Sequence, residues 1–239
     1  MTGRRFAIGL FILLQLSWAM AHCYRAVAFD MGGVLIDLPS KIVPEMERMF
    51  NYPPGSIGRT IGRPDVSAAI HQMERGELRT SEFDRIFNDN FRQLYGMDSP
   101  TGVAATVDFT KAVYQPLERM VRAVRCLRSR GYKTALLTNN YFTDDARRRP
   151  TNPFGDQLEE LFDVVVESCR VGTRKPEPGI YLRLLEELQC RPEEVIFLDD
   201  VDSNVRGATD VGIVGVKVDD HDSALEDLSR MLHLPLTDN

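Results

Sequence analysis

Apolar positions in this chain switch between two periods, and the switches mark its elements. Short, continuous apolar runs occur at Ala26–Phe29, Tyr132–Leu137, Asp163–Glu167, Val195–Leu198 and Ile213–Val218. Each is bounded by polar or turn-forming residues, as expected of strands buried on both faces of a parallel sheet. Between them the period lengthens to that of a helix. Leu117, Met120, Val121, Val124 and Leu127 form one stripe, with Gly131 suited to the position after its end. Tyr181, Leu184, Leu185 and Leu188 share a face of a helix over Pro178–Leu188, and further helices are expected near Asp156–Leu161, Asp202–Asp210 and Asp222–Leu232. Alternating strands and helices joined by right-handed crossovers predict a three-layer α/β/α, Rossmann-like sandwich with a mostly parallel sheet.

The stretch from about Ser40 to Pro116 lacks strand runs. It carries helical patterns at Lys41–Phe50, Asp65–Glu74 and Ser81–Leu94, with breaks at Pro53-Pro54-Gly55 and Gly96. In the third, Phe83, Ile86, Phe87, Asn90, Phe91 and Leu94 fall mostly at i, i+3, i+4 spacing, and Thr80-Ser81-Glu82 offers a capped start. The expected organisation is an α/β core of residues 22–39 and 116–239, interrupted by a helical cap over 40–115.

With 43% hydrophobic and 27% charged residues among 239, the composition is that of a globular α/β protein. A formal charge of −6 excludes the basic footprint of a general nucleic-acid binder. At the amino terminus Arg4 and Arg5 precede an apolar run from Phe6 to Ala21, interrupted by Gln15 and Ser17 and closing on the small-x-small triplet Ala19-Met20-Ala21. That pattern reads as a signal peptide over residues 1–21, too short for a typical membrane span, and implies the secretory pathway with no stable span after cleavage. An uncleaved anchor, a mitochondrial presequence and a cytosolic location are the alternatives. Cys23, Cys126, Cys169 and Cys190 show neither C-x-x-C spacing nor the density of a disulfide scaffold, so buried thiols are expected.

The candidate chemistry lies at strand ends, where ligands bind in parallel sheets. Asp30 follows the first strand, Thr138 ends the next, Lys175 sits in the loop Arg174-Lys175-Pro176-Glu177-Pro178, and Asp199-Asp200 close a later strand. Each has a dull alternative: a turn or cap for the aspartates and threonine, a solvated loop position for the lysine. Their order, each at a strand end or the following loop, argues for one site. Carboxylates gathered there repel one another unless a hard cation such as Mg²⁺ lies between them.

On these residues the sequence resembles the haloacid dehalogenase superfamily of aspartate-nucleophile phosphohydrolases. The matching stretches are Phe29-Asp30-Met31-Gly32-Gly33-Val34-Leu35, Leu136-Leu137-Thr138-Asn139-Asn140, Arg174-Lys175-Pro176 and Phe197-Leu198-Asp199-Asp200. Val165-Val166-Glu167-Ser168-Cys169, Lys175-Pro176-Glu177-Pro178 and Glu74-Arg75-Gly76-Glu77 resemble the branch holding the phosphatase domain of soluble epoxide hydrolase and the phosphatase-like domain of acyl-CoA dehydrogenase fusions. The resemblance implies Asp30 as nucleophile and Thr138 and Lys175 as further catalytic groups. It also implies a phosphate site of the Thr138 hydroxyl, the Asn139 N–H and the Lys175 ammonium. Mg²⁺ would be held by Asp30, the Gly32 carbonyl and Asp200, with Asp199 orienting them from behind. Asn204 is expected either at the site's edge or on a helix surface.

One position departs from the pattern. The residue two after the nucleophile is usually an aspartate that protonates the leaving group and activates water; here it is Gly32, and Asp37 is the nearest later carboxylate. The expected function is Mg²⁺-dependent hydrolysis of a small phosphorylated metabolite or lipid phosphate. The alternatives are a catalytically weak or silent phosphate-binding domain, and carbon–halogen hydrolysis by the same nucleophile, which would leave Asp199-Asp200 without a purpose. The oligomeric state is left open.

Overall fold

The computed structural model describes residues 24–36, 39–98, 116–143, 153–155 and 157–236. The expected signal segment and Asp37 lie outside these residues. Five strands, β1 (Ala26–Phe29), β2 (Lys133–Thr138), β3 (Val164–Glu167), β4 (Val195–Asp199) and β5 (Val214–Lys217), form one parallel sheet in the order β3-β2-β1-β4-β5. The two halves diverge from β1, so the carboxyl ends of β1, β2 and β4 stand side by side. That is where an open α/β sheet presents a site.

Side-chain alternation along the strands builds two apolar layers. Val27, Phe29, Leu136, Ile196 and Leu198 pack with Met120, Val121, Val124 and Leu127 of α5 (Glu118–Ser129) and with Leu225, Leu228 and Leu232 of α10 (His221–Leu232). Ala26, Ala28, Ala135, Leu137, Val195 and Phe197 pack on the other face with Ile180, Tyr181, Leu184 and Leu188 of α8 (Pro178–Leu188) and Ala208 of α9 (Asp202–Asp210). Every residue of β1 and β4 is buried, whereas the flanking strands β3 and β5 are partly open. Continuous apolar runs are thus the signature of strands covered on both faces. Short helices α6 (Gln157–Leu161) and α7 (Ser168–Val171) lie on either side of β3 in the chain. None of the described helices is long and apolar enough to cross a membrane.

Among the described residues, four helices stand between β1 and α5: α1 (Pro39–Met49), α2 (Ser56–Ile61), α3 (Pro64–Glu74) and α4 (Thr80–Tyr95). The predicted aromatic face of α4 becomes a ladder in which Phe83, Phe87, Phe91 and Tyr95 contact one another in turn, with Tyr52 against Phe91. Two details differ from expectation. The helix α2 follows the Pro-Pro-Gly break because the buried Glu47 carboxylate accepts N–H groups from Gly55 at 2.6 Å and Ile57 at 2.8 Å, a cap supplied from another helix. Glu47→Ala would orphan both donors, and thermal melts should show about 2 kcal/mol of lost stability. The second difference is at α4. Thr80 does not cap it: Glu82 accepts from the Arg79 N–H at 3.0 Å, and the Thr80 hydroxyl donates to the Phe142 carbonyl at 3.1 Å.

Candidate active site

Asp30 follows β1, the central strand, and its N–H donates to Leu198 of β4 at 2.9 Å. Its carboxylate meets the Lys175 ammonium at 2.6 Å, and the same ammonium lies 2.7 Å from Asp199 Oδ2 and donates to the Leu137 carbonyl at 3.0 Å. Lys175 is fully buried, and its three N–H groups are all used in this way. A lysine buried in a Pro-rich loop gains that position only by bridging the two carboxylates. The solvated-loop reading is therefore excluded.

The electrostatics arise from burial. Asp30, only 8% exposed, has its carboxyl pushed up to about 7 by loss of water, opposed by Lys175 and reinforced by Asp199. For Lys175 burial disfavours the charge, but Asp30 and Asp199 outweigh it and its pKa ends above the ordinary lysine value. Asp200, half-buried beyond β4, is raised by burial and then by Asp199.

Asp199 is consumed by the protein. Its Oδ1 accepts from the Val201 N–H at 2.8 Å and from Asn204 Nδ2 at 3.1 Å, while Oδ2 is also 3.1 Å from Asn204 Nδ2. Asn204 is buried, and its backbone carbonyl accepts the Tyr181 hydroxyl at 2.8 Å. Asn204 is thus not on an exposed helix surface; its side chain is bonded to Asp199. Thr138 is buried, with a long 3.4 Å contact from its hydroxyl to the Asn139 carbonyl.

Sequence reasoning missed how the loops are held. The Asn139 side chain brackets the Lys175 peptide, Oδ1 accepting the Lys175 N–H at 2.8 Å and Nδ2 donating to its carbonyl at 3.1 Å. Asn140 donates to Glu167 at 2.9 Å and exchanges hydrogen bonds with Ser168, tying the β2 loop to the end of β3. Helix α9 approaches the Lys175 loop so closely that a Cβ at Gly207 would lie 2.8 Å from the Pro176 carbonyl and 3.1 Å from the Tyr181 ring. Gly207→Ala is expected to cost about 1–3 kcal/mol by overpacking, read from denaturant midpoints.

The oxygen donors suit a hard cation. One carboxylate oxygen from each of Asp30, Asp199 and Asp200 lies within 4.8 Å of the others. With Asp199 committed to Lys175, Val201 and Asn204, the carboxylates left to a cation are those of Asp30 and Asp200. In the turn after β1, Ile36 N–H bonds to the Met31 carbonyl and Gly33 N–H to the Ile36 carbonyl, a bridge that uses neither the N–H nor the carbonyl of Gly32. Gly33 has φ 77° and needs to be glycine; Gly32 does not, and a Cβ there would meet no atom within 4 Å.

A five-stranded parallel sheet with a buried Asp–Lys–Asp bridge at its switch point defines an α/β enzyme built around an acidic centre. The sequence model of the haloacid dehalogenase-like hydrolases matches residues 24–212, and the chain belongs to that family. It is 33% identical to acyl-CoA dehydrogenase family member 10 of Mus musculus over 89% of this chain and 20% of the relative. It is 31% identical to bifunctional epoxide hydrolase 2 of Sus scrofa over 89% of this chain and 39% of the relative. The chain thus spans less than half the length of either. A sesquiterpene phosphatase of Aspergillus oryzae is 27% identical over 89% of this chain and 99% of the relative. Similar folds include a predicted HAD-like hydrolase of Porphyromonas gingivalis (TM-score 0.62, 20% identity, 87% of this chain and 98% of that one). Another is the magnesium complex of a HAD-family enzyme of Bacteroides thetaiotaomicron (TM-score 0.58, 23% identity, 81% and 92%). The chain is a HAD-like hydrolase with phosphatase relatives.

Proposed function

We propose that this chain is a Mg²⁺-dependent phosphomonoester hydrolase that works through an aspartyl-phosphate at Asp30 and acts on a small phosphorylated metabolite or a lipid phosphate. The observation that carries the reading is the Lys175 ammonium held between Asp30 and Asp199, with Asp200 beside them. A carboxylate fixed in place and paired on one side is oriented as a nucleophile, and paired charge makes its burial tolerable. An Asp30 oxygen would attack phosphorus as the ester oxygen leaves. Water would then attack the same phosphorus, releasing phosphate and restoring the carboxylate. Asp30, the Gly32 carbonyl and Asp200 would hold Mg²⁺, which when bound supplies positive charge against the transferring oxygens. The Thr138 hydroxyl and Asn139 N–H would take the remaining oxygens, and Lys175 would join them by releasing one of its present partners. The cap over 40–115, which includes helices α2–α4, would act as a lid that excludes water and selects the substrate. A lipid phosphate is favoured by the sesquiterpene phosphatase among the relatives.

The test is phosphate release from an aryl phosphate. Activity is expected with Mg²⁺, loss of it in chelator, and a large drop in Asp30→Asn; equal rates in wild type and Asp30→Asn would sink the reading. Gly32 favours a second reading, a phosphate-binding domain with little turnover. Mg²⁺-dependent binding of a phosphate mimic without release would support that one.

A further inference from the structure

The segment joining α3 to α4 reaches the loop that carries Lys175 through two ion pairs. From α3, Glu74 Oε2 is 2.5 Å from Arg174 Nε, and just beyond it Arg75 Nη1 is 3.0 Å from Glu177 Oε1. The acid is on the helical segment in one pair and on the core in the other. The two core partners, Arg174 and Glu177, stand on either side of Lys175-Pro176. Glu177 also accepts from the Arg174 N–H at 3.1 Å and from the Thr173 hydroxyl at 2.9 Å, closing the loop on itself. Gly76 sits so tightly, at φ +68°, that a Cβ would lie 2.4 Å from the Cys169 carbonyl. Thr80 bonds to Phe142 in the β2 loop. Residues 74–80 are therefore bonded to the Lys175 loop and the loop after β2, and packed closely on α7. The Glu74–Arg174 pair is mostly buried, its side chains 16% and 17% exposed, so losing one partner strands the other out of water.

We propose that Glu74 and Arg75 are positioning residues for Lys175: seated on the core, they clamp the loop from both ends and hold its ammonium between Asp30 and Asp199. The proposal rests on the phosphatase reading only for its effect on rate; the clamp itself concerns where Lys175 is held. Docking of the helical segment and readiness of the nucleophile then become one event. A lid that pivots would turn about residues 74–80, and one that lifts there would release Lys175.

Amine acylation followed by mass spectrometry tests this independently of activity. Lys175 is buried and should label slowly, against Lys217 as an internal reference with 30% side-chain exposure. In Glu74→Ala and in Arg75→Ala, Lys175 labelling is expected to rise about tenfold and kcat on an aryl phosphate to fall by a similar factor, the order of a coupling between two sites. The charge swap Glu74→Arg with Arg174→Glu is expected to restore both. Hydrogen exchange of the β1 and β4 amides should stay at its wild-type rate, which a general loosening of the fold would raise. Unchanged Lys175 labelling in the folded Glu74→Ala/Arg75→Ala protein would overturn the clamp. Labelling that responds as expected in a protein that never releases phosphate would uphold the clamp and remove the phosphatase reading.

Discussion

Gly32→Asp is expected to raise phosphate release by about 10²–10⁴-fold, the usual worth of a positioned acid–base group. The position accepts the change: a Cβ there meets nothing within 4 Å, and the backbone lies outside the left-handed region that demands glycine. Nucleophile, phosphate contacts and cation ligands are otherwise unaltered, since Gly32 would serve the cation through its carbonyl. The gain should depend on the ester. An alkyl phosphate, whose departing alkoxide needs a proton, should gain most; an aryl phosphate with a stable leaving group should gain least. Rates on the two esters in wild type and Gly32→Asp check this, and an equal gain on both would place the limitation elsewhere than proton transfer.

Lys175→Met is expected to be the most damaging substitution for stability, at about 3–5 kcal/mol near pH 8, because it leaves Asp30 and Asp199 buried without their cation. The sign of the pH dependence is set by Asp30. Its carboxyl is already raised to about 7 from 3.8, so between those values the folded state holds a proton that the unfolded chain has released. In metal-free wild type this contribution falls as pH rises from about 4 to 7. Lys175 opposes the rise, so its removal pushes Asp30 higher and carries the loss on to higher pH. The penalty of Lys175→Met should accordingly be smaller at pH 5 than at pH 8. Denaturant melts in chelator at the two values measure it, and Lys175→Met/Asp30→Asn should recover part of the loss at pH 8.

The strands and the residues at their ends were legible because burial on both faces leaves an unbroken apolar run, and the residues just past such a run line the site. Asp30, Lys175 and Asp199 were all named from sequence, and the structure brings them within bonding distance. The supports were not legible. Asn139 holds the Lys175 peptide across 36 residues, Glu47 of α1 caps α2, and Glu74 pairs with Arg174 across 100. Each is a polar side chain whose partner is chosen by tertiary packing, so nothing in its neighbours along the chain reveals the bond. Thr80 shows the converse, since a good local cap signal lost to a longer-range hydrogen bond with Phe142. Family resemblance assigned Asn139 by its backbone N–H, and the side chain turned out to have a separate structural task.

Everything proposed for the chemistry depends on Asp30 being the group that takes the phosphoryl. The sharpest check uses Gly32→Asp as the background, so that a missing proton donor does not limit the rate, and adds Asp30→Asn. With Mg²⁺ and an alkyl phosphate, Gly32→Asp should release phosphate steadily, and the double variant should be slower by at least about 10³-fold, as expected when a nucleophile is removed. Equal rates in the two proteins would contradict the role given to Asp30.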